Sequence, residues 1–130
     1  MSKQEFVSQA NAICADVNNK IESLQQPPQN AQVSELVPLL TQELAIAREA
    51  ESKLEALTPP SELQNERDKL VANTQKEEAL ADKLIAAAKA NDSSQAQALG
   101  QQLDALNKQD NSISSSIGLT ECAKDASPQG

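Results

Sequence analysis

Apolar residues recur at helical spacing in four stretches of this 130-residue chain, and this pattern constrains the fold more than any other feature. Within a stretch an apolar side chain returns every three or four positions, which gives a helix one apolar face. Paired prolines at 27–28 and 59–60 separate the first three stretches, because the residue before a proline disfavours helical geometry. Asn91, which tolerates the left-handed conformation that ends helices, separates the last two. The pattern therefore predicts four helices.

Capping signals place the ends of the predicted helices. Ser2 and Glu5 have capping-box spacing, so the first helix begins at Ser2. The second begins between 31 and 35, and the third opens with a proline at its first position and runs to about Lys89. We call the row of positions that faces the core on each predicted helix its stripe. The stripe positions, helix by helix, are Phe6, Ala10, Ile13, Val17, Ile21 and Leu24; Leu36, Leu40, Leu44, Ala47, Ala50, Leu54 and Leu57; Leu63, Leu70, Val71, Leu80, Leu84 and Ala88; and Ala96, Leu99, Leu103, Leu106, Asp110, Ile113 and Ile117.

The fourth helix has the clearest end signals. Asp92 with Gln95 forms a capping pair at its beginning. Gly118 suits the left-handed position that follows a helix, and Leu119 is placed to fold back on the last turn.

We predict an all-α fold, an antiparallel up-down-up-down four-helix bundle with short connections. With three glycines and one aromatic residue, the chain lacks the turns and the aromatic residues of a β-sandwich. A long coiled-coil dimer is the alternative, but the paired prolines disfavour a continuous rod. Residues 1–122 are expected to form a single domain and 123–130 a disordered tail.

The composition argues against several classes of function. The chain has no His, Trp or Tyr, and 19 acidic against 11 basic residues give a net charge of −8. Because His is the commonest metal ligand and general base, we expect no metal site, no cofactor and no catalytic residue. An acidic chain without aromatic platforms is a poor ligand for nucleic acid or anionic lipid. The longest apolar run, 84–88, is too short to span a membrane.

Two carboxylates interrupt the stripes. Glu77 and Asp110 fall where apolar residues are expected, and the antiparallel hairpin brings Asp110 close to Asn73 and Thr74. One interpretation is a carboxylate site that holds a metal between helices, but such sites use His as well. The other, which we favour, is a hydrogen-bonded polar layer of these four residues that fixes helix register. Burial of Glu77 without a partner would raise its pKa.

Three short motifs are distributed over nearly the whole chain. The first is F-x3-A-N-x-I-C, the second L-x-P-P-x-E-L and the third G-L-x-x-C. They are carried by Phe6, Ala10, Asn11, Ile13 and Cys14, by residues 57–63, and by Gly118, Leu119 and Cys122. Together they resemble small α-helical domains of secreted or lipid-anchored bacterial proteins, of an actinobacterial lipoprotein type without an established activity.

The resemblance implies an extracytoplasmic location, with any signal segment or lipid anchor upstream of Met1, and a disulfide between Cys14 and Cys122. Lipid attachment is disfavoured because Cys14 lies inside an amphipathic pattern, and two sulfurs without His make a poor metal site. A redox-catalytic pair is usually closely spaced. To reach Cys14, the chain is expected to reverse at Gly118 and run back along the first helix, which also overhangs the bundle somewhat.

Two functions remain open for such a chain. The first is a non-enzymatic module of the cell envelope or the secreted fraction, a monomer or weak homodimer that spaces, shields or binds an unknown protein partner. The alternative is a carrier of a small ligand or cation, held in the bundle interior or on the acidic surface. An enzyme is not expected, since no catalytic constellation is present.

Overall fold

The computed structural model describes residues 1–125, and over that range the chain is all-helical. Four α-helices form an antiparallel up-down-up-down bundle, which confirms the predicted fold class. Short 3₁₀ turns at Val33–Leu36 and Ser61–Leu63 lead into the second and third helices. The helices are α1 (Lys3–Glu22), α2 (Val37–Glu55), α3 (Gln64–Lys89) and α4 (Ser93–Ser116).

The predicted capping residues are in place. The Ser2 hydroxyl accepts a hydrogen bond from the Glu5 amide at 3.1 Å, and the Asp92 carboxylate accepts one from the Gln95 amide at 3.1 Å. Asn91 and Gly118 have positive φ angles of 55° and 87°, as left-handed residues after α3 and α4 should. These local signals therefore account for both ends of α4 and for the turn that precedes it.

The predicted starts of α2 and α3 were wrong by several residues. The α2 helix begins at Val37, because residues 33–36 form a 3₁₀ turn that places Pro38 in the first turn. Pro60 does not open α3; it has an extended ψ of 157° and precedes a second 3₁₀ turn. Leu24 and Leu57, which were assigned to helical stripes, lie beyond the ends of α1 and α2.

Two apolar clusters close the two ends of the bundle. The Phe6 cluster lies where α1 and α3 begin and where α2 and α4 end, and the Ala87 cluster lies at the opposite end. The second cluster joins α3 and α4 to the first 3₁₀ turn through Val33, Leu80 and Leu84, which pack against it. The buried members are Phe6, Ala10, Leu63, Ile117 and Leu119 in the first cluster, and Ala87, Ala96 and Leu99 in the second.

Helix packing is uneven around the bundle. The α1 helix packs on α2, α2 on α3, and α3 most extensively on α4, whereas α1 and α4 scarcely contact each other within residues 1–125. The stretch 118–125, which we call the C-terminal segment, lies between these two helices and carries the disulfide from Cys122 to Cys14. No helix of the described range is long and apolar enough to cross a membrane.

The expected reversal at Gly118 is present. The Leu119 amide donates to the Ser114 carbonyl at 2.8 Å, and the Gly118 amide donates to the Ser115 carbonyl at 3.3 Å, which turns the chain back at the end of α4. The tail was expected to begin at residue 123, but the Asp125 carboxylate accepts a hydrogen bond from α4. The remainder of that tail, 126–130, lies outside the described residues.

Candidate functional site

A cavity of about 520 Å³ lies between the helices and is partly open to solvent. Its volume is within the range of about 300–1,000 Å³ that is typical of small-molecule sites. All four helices contribute apolar side chains to a lining that is mainly apolar. Among these are Val17 and Ile21 of α1, Leu40 and Leu44 of α2, Leu70 of α3 and Leu103 of α4.

Carboxyl groups from three helices face this cavity. Glu43 and Glu51 come from α2, Glu77 and Glu78 from α3, and Asp104 and Asp110 from α4, while Asp125 comes from the C-terminal segment. The sequence predicted Glu77 and Asp110 from their stripe positions and missed the others. Two of the missed residues lie on the flanks of the stripes: Glu43 is three residues after Leu40, and Glu51 is three before Leu54. A wider definition of the buried face would have included them.

Glu77 is the most strongly perturbed group in the cavity. Burial, followed by its hydrogen bond to the Asp110 carboxyl and the nearby negative charges, raises the pKa of Glu77 to about 9. Its Oε1 atom is inaccessible to solvent and receives no hydrogen bond from an amide or hydroxyl donor. At neutral pH the Glu77 carboxyl is therefore protonated beside Asp110.

Asn73 donates a hydrogen bond to Asp110, the second carboxyl of this pair. Its side-chain amide is buried and donates to Asp110 Oδ1 at 2.8 Å and to Gln109 Oε1 at 3.1 Å. The Thr74 hydroxyl instead donates to the Leu70 carbonyl of its own helix at 2.8 Å. The structure thus brings Asn73, Glu77 and Asp110 together, and it leaves Thr74 on the cavity wall without a hydrogen bond across the bundle.

A second carboxyl pair joins α2 to α3. The hydrogen bond to Glu78, together with burial, raises the pKa of Glu51. Glu78 Oε2 is inaccessible to solvent and has no hydrogen-bond donor, while Oε1 lies 3.8 Å from Arg48 Nε. Burial alone raises the pKa of Glu43. The cavity therefore contains several carboxyls that are held closer to neutrality than they would be in water.

The disulfide and two asparagines hold the C-terminal segment on α1. The Cα atoms of Cys14 and Cys122 are 5.0 Å apart. Asn11 donates to the Gly118 carbonyl at 3.2 Å and accepts from the Glu121 amide at 3.1 Å, and Asn18 donates to the Glu121 carbonyl at 3.0 Å. Part of the segment lines the cavity.

The three motifs converge at this end of the bundle. Phe6, Ala10, Leu63 and Leu119 are buried in one cluster, and Cys122 packs against it. The motif residues therefore serve packing and cross-linking. Within residues 1–125, no group of three or more acidic or cysteine side chains is arranged to hold a metal ion. The chain matches no family model, no curated protein and no solved structure.

Proposed function

We propose that the protein is a non-enzymatic, extracytoplasmic carrier that holds a small amphiphilic molecule in the cavity between its helices. The single observation that carries the proposal is the cavity itself, about 520 Å³ in volume and lined by all four helices. A bundle of this size that served as a spacer alone would gain stability by filling that space. Of the two functions open to the sequence, the carrier is the one that the cavity favours.

The chemistry of the lining selects the ligand class. Apolar methyl groups suit an aliphatic body, while carboxyls of Glu77, Glu78 and Asp110 suit an ammonium head group. A carboxylate head group is disfavoured because the acidic residues of the lining outnumber the basic ones, Arg67 and Lys124. We therefore expect an aliphatic amine in its protonated form.

The disulfide and the motifs support an extracytoplasmic location. Disulfides persist in oxidising compartments and are rare in the cytosol. The three motif segments meet around the Cys14–Cys122 bridge, which fits their resemblance to secreted and lipid-anchored bacterial domains. A protein-docking role has less support, because Met1 is the one exposed large apolar side chain within residues 1–125.

Thermal melting with three eight-carbon compounds tests the carrier proposal. At pH 8 octylammonium should raise the melting temperature by several degrees, because a ligand that binds only the folded state stabilises it. Octanol should act more weakly, and octanoate should have no effect. Equal effects of all three compounds, or none, would contradict the proposed site.

A cavity-filling variant separates the interior from the acidic surface. Gly100 lines the cavity, and a Cβ there would meet no atom within 4 Å. Gly100→Leu should therefore fill part of the space and abolish the octylammonium effect. The matched control is Ala98→Leu at an exposed position of the same helix, which should retain the effect. Loss in both variants, or in neither, would argue against binding inside the bundle.

A further inference from the structure

We propose that the C-terminal segment is a strap that closes the cavity on the side between α1 and α4, and that reduction of the Cys14–Cys122 disulfide releases it. The strap regulates access to the cavity. Its physiological meaning rests on the proposed carrier function, but its existence does not.

The gap between α1 and α4 gives the strap its place. The other neighbouring helix pairs pack directly on each other, whereas α1 and α4 scarcely touch within the described residues. Leu119, Cys122, Lys124 and Asp125 line the cavity, so the C-terminal segment supplies a wall there. Removal of that wall would expose the apolar lining to solvent.

The strap is attached to both of the helices that it bridges. On α1 it is held by Asn11, Asn18 and the disulfide. On α4 the Asp125 carboxylate accepts hydrogen bonds from Asn111 Nδ2 at 2.7 Å and from Asn107 Nδ2 at 3.4 Å. These attachments span the gap from one side to the other.

A hinge lies at the start of the strap. Gly118 has a φ of 87°, and Leu119 is fixed in the Phe6 cluster with 2% of its surface exposed. The residues that follow are half-buried or exposed and, apart from Cys122, which packs against the Phe6 cluster, they are held by hydrogen bonds. A segment with so few buried apolar contacts opens readily when no covalent link restrains it. The disulfide is the covalent link that restrains this part of the chain. It holds the strap on α1, while the hydrogen bonds of Asp125 hold it on α4, and the strap is closed only when both attachments are intact.

The release is an ordinary thiol–disulfide exchange with a dithiol reductant, such as a thiol–disulfide oxidoreductase. One thiolate of the reductant attacks a sulfur of the Cys14–Cys122 bond, forms a mixed disulfide and expels the other cysteine as a thiolate. The second thiol of the reductant, after deprotonation, attacks the mixed disulfide and expels the remaining cysteine. The reductant leaves as a disulfide, and both cysteines take up protons from solvent as their thiols form.

Methyl NMR with a neutral paramagnetic cosolute tests the strap without any ligand. Leu103 lines the cavity, while Leu99 is buried in the Ala87 cluster at the far end of the bundle. Reduction by dithiothreitol should increase the broadening of the Leu103 methyls about threefold or more, as expected for a local opening, and should leave Leu99 unchanged. Unchanged broadening at Leu103 in a folded, reduced chain would overturn the strap.

A second variant decides the matter if the reduced chain unfolds. Asn107→Ala with Asn111→Ala removes the attachments to α4 while the disulfide stays intact, and Leu103 should again become more accessible. The control is Asn65→Ala, an exposed asparagine of α3, which should have no effect. Equal accessibility of Leu103 in the double variant and the control would overturn the strap.

The experiments distinguish a wrong strap proposal from a wrong carrier proposal. If octylammonium does not bind while Leu103 opens on reduction, the carrier proposal is wrong and the strap stands. If octylammonium binds and its dissociation rate is the same in the oxidised and reduced protein, the strap is wrong. Dissociation at least about tenfold faster after reduction is the expected result.

Discussion

At the scale of single residues, the sequence predicted two of the carboxyl residues that line the cavity but not the others. Glu77 and Asp110 were identifiable because they occupy stripe positions that are otherwise apolar. Glu43, Glu51 and Glu78 could not be identified in the same way, since they lie on stripe flanks, and burial there depends on the neighbouring helix. The pairing of Glu77 with Asp110 depends on the register of α3 and α4, which periodicity alone does not fix.

We expect Glu77→Gln to stabilise the protein above neutral pH. Folding raises the pKa of Glu77 from 4.5 to about 9, so between these values the folded state binds the extra proton. Stability from this group therefore falls as pH rises through that window, and Gln, which cannot ionise, removes the loss. Urea unfolding should show a gain of about 1 kcal/mol or more at pH 8 and little gain at pH 4. A variant less stable than the parent at pH 8 would contradict a protonated Glu77.

At the scale of elements, the sequence correctly located those helix ends that are set by one capping side chain or by one residue with a positive φ angle. The predicted caps are formed by Ser2 and Asp92, and the predicted left-handed conformation is adopted by Asn91 and Gly118. The start of α3 was misplaced because a proline is compatible both with the first turn of an α-helix and with the residue before a 3₁₀ turn. The choice between them depends on how Leu63 and its neighbours pack.

Alanine substitution should change the free energy of unfolding in opposite directions at Gly100, inside α4, and at Gly118, just after its end. Gly118→Ala should destabilise the protein by about 1 kcal/mol, because its φ of 87° is unfavourable for a residue with a Cβ. The nearest atom to that Cβ, Val7 Cγ1 at 3.8 Å, is at ordinary contact distance, so the cost comes from the backbone. Gly100→Ala, inside the helix, should stabilise by about 0.5–1 kcal/mol. Urea unfolding of both variants measures the difference, and equal effects would contradict the turn geometry.

At the scale of the whole molecule, the sequence predicted the bundle and the structure adds its open interior. Apolar stripes show which face of each helix is buried, but they do not show that α1 and α4 stand apart. Most of the buried apolar residues lie in clusters at the two ends, and the cavity between them has a mainly apolar lining that carries acidic groups. With so little packing between α1 and α4, the chain relies on a covalent link to hold them together.

Removal of the disulfide should destabilise the whole domain. The two cysteines are 108 positions apart, and a loop of that length restricts the unfolded chain by up to about 4–5 kcal/mol. Cys14→Ala with Cys122→Ala should therefore lower the free energy of unfolding by several kcal/mol in a urea titration. A loss below about 1 kcal/mol would show that the link contributes little.

Overall stability should be higher at pH 5 than at pH 8. Burial or carboxyl pairing raises the pKa of Glu43, Glu51 and Glu77, so each resists ionisation in the folded state. Salt bridges on the outer surface act in the opposite direction: Lys20, through its hydrogen bond, lowers the pKa of Asp16, but that pair lies at the surface and is weak. Thermal melting across this range measures the net effect, and a higher melting temperature at pH 8 would contradict it.

The acidic interior is the central claim, and a carboxyl ¹³C NMR titration of Glu77 in the oxidised protein tests it most directly. A buried Glu77 beside Asp110 should titrate far above its ordinary value, near pH 9, and its pKa should shift downward when octylammonium is added. A midpoint near the ordinary value of 4.5, unaffected by octylammonium, would mean that Glu77 is solvated and that the bundle has no enclosed site.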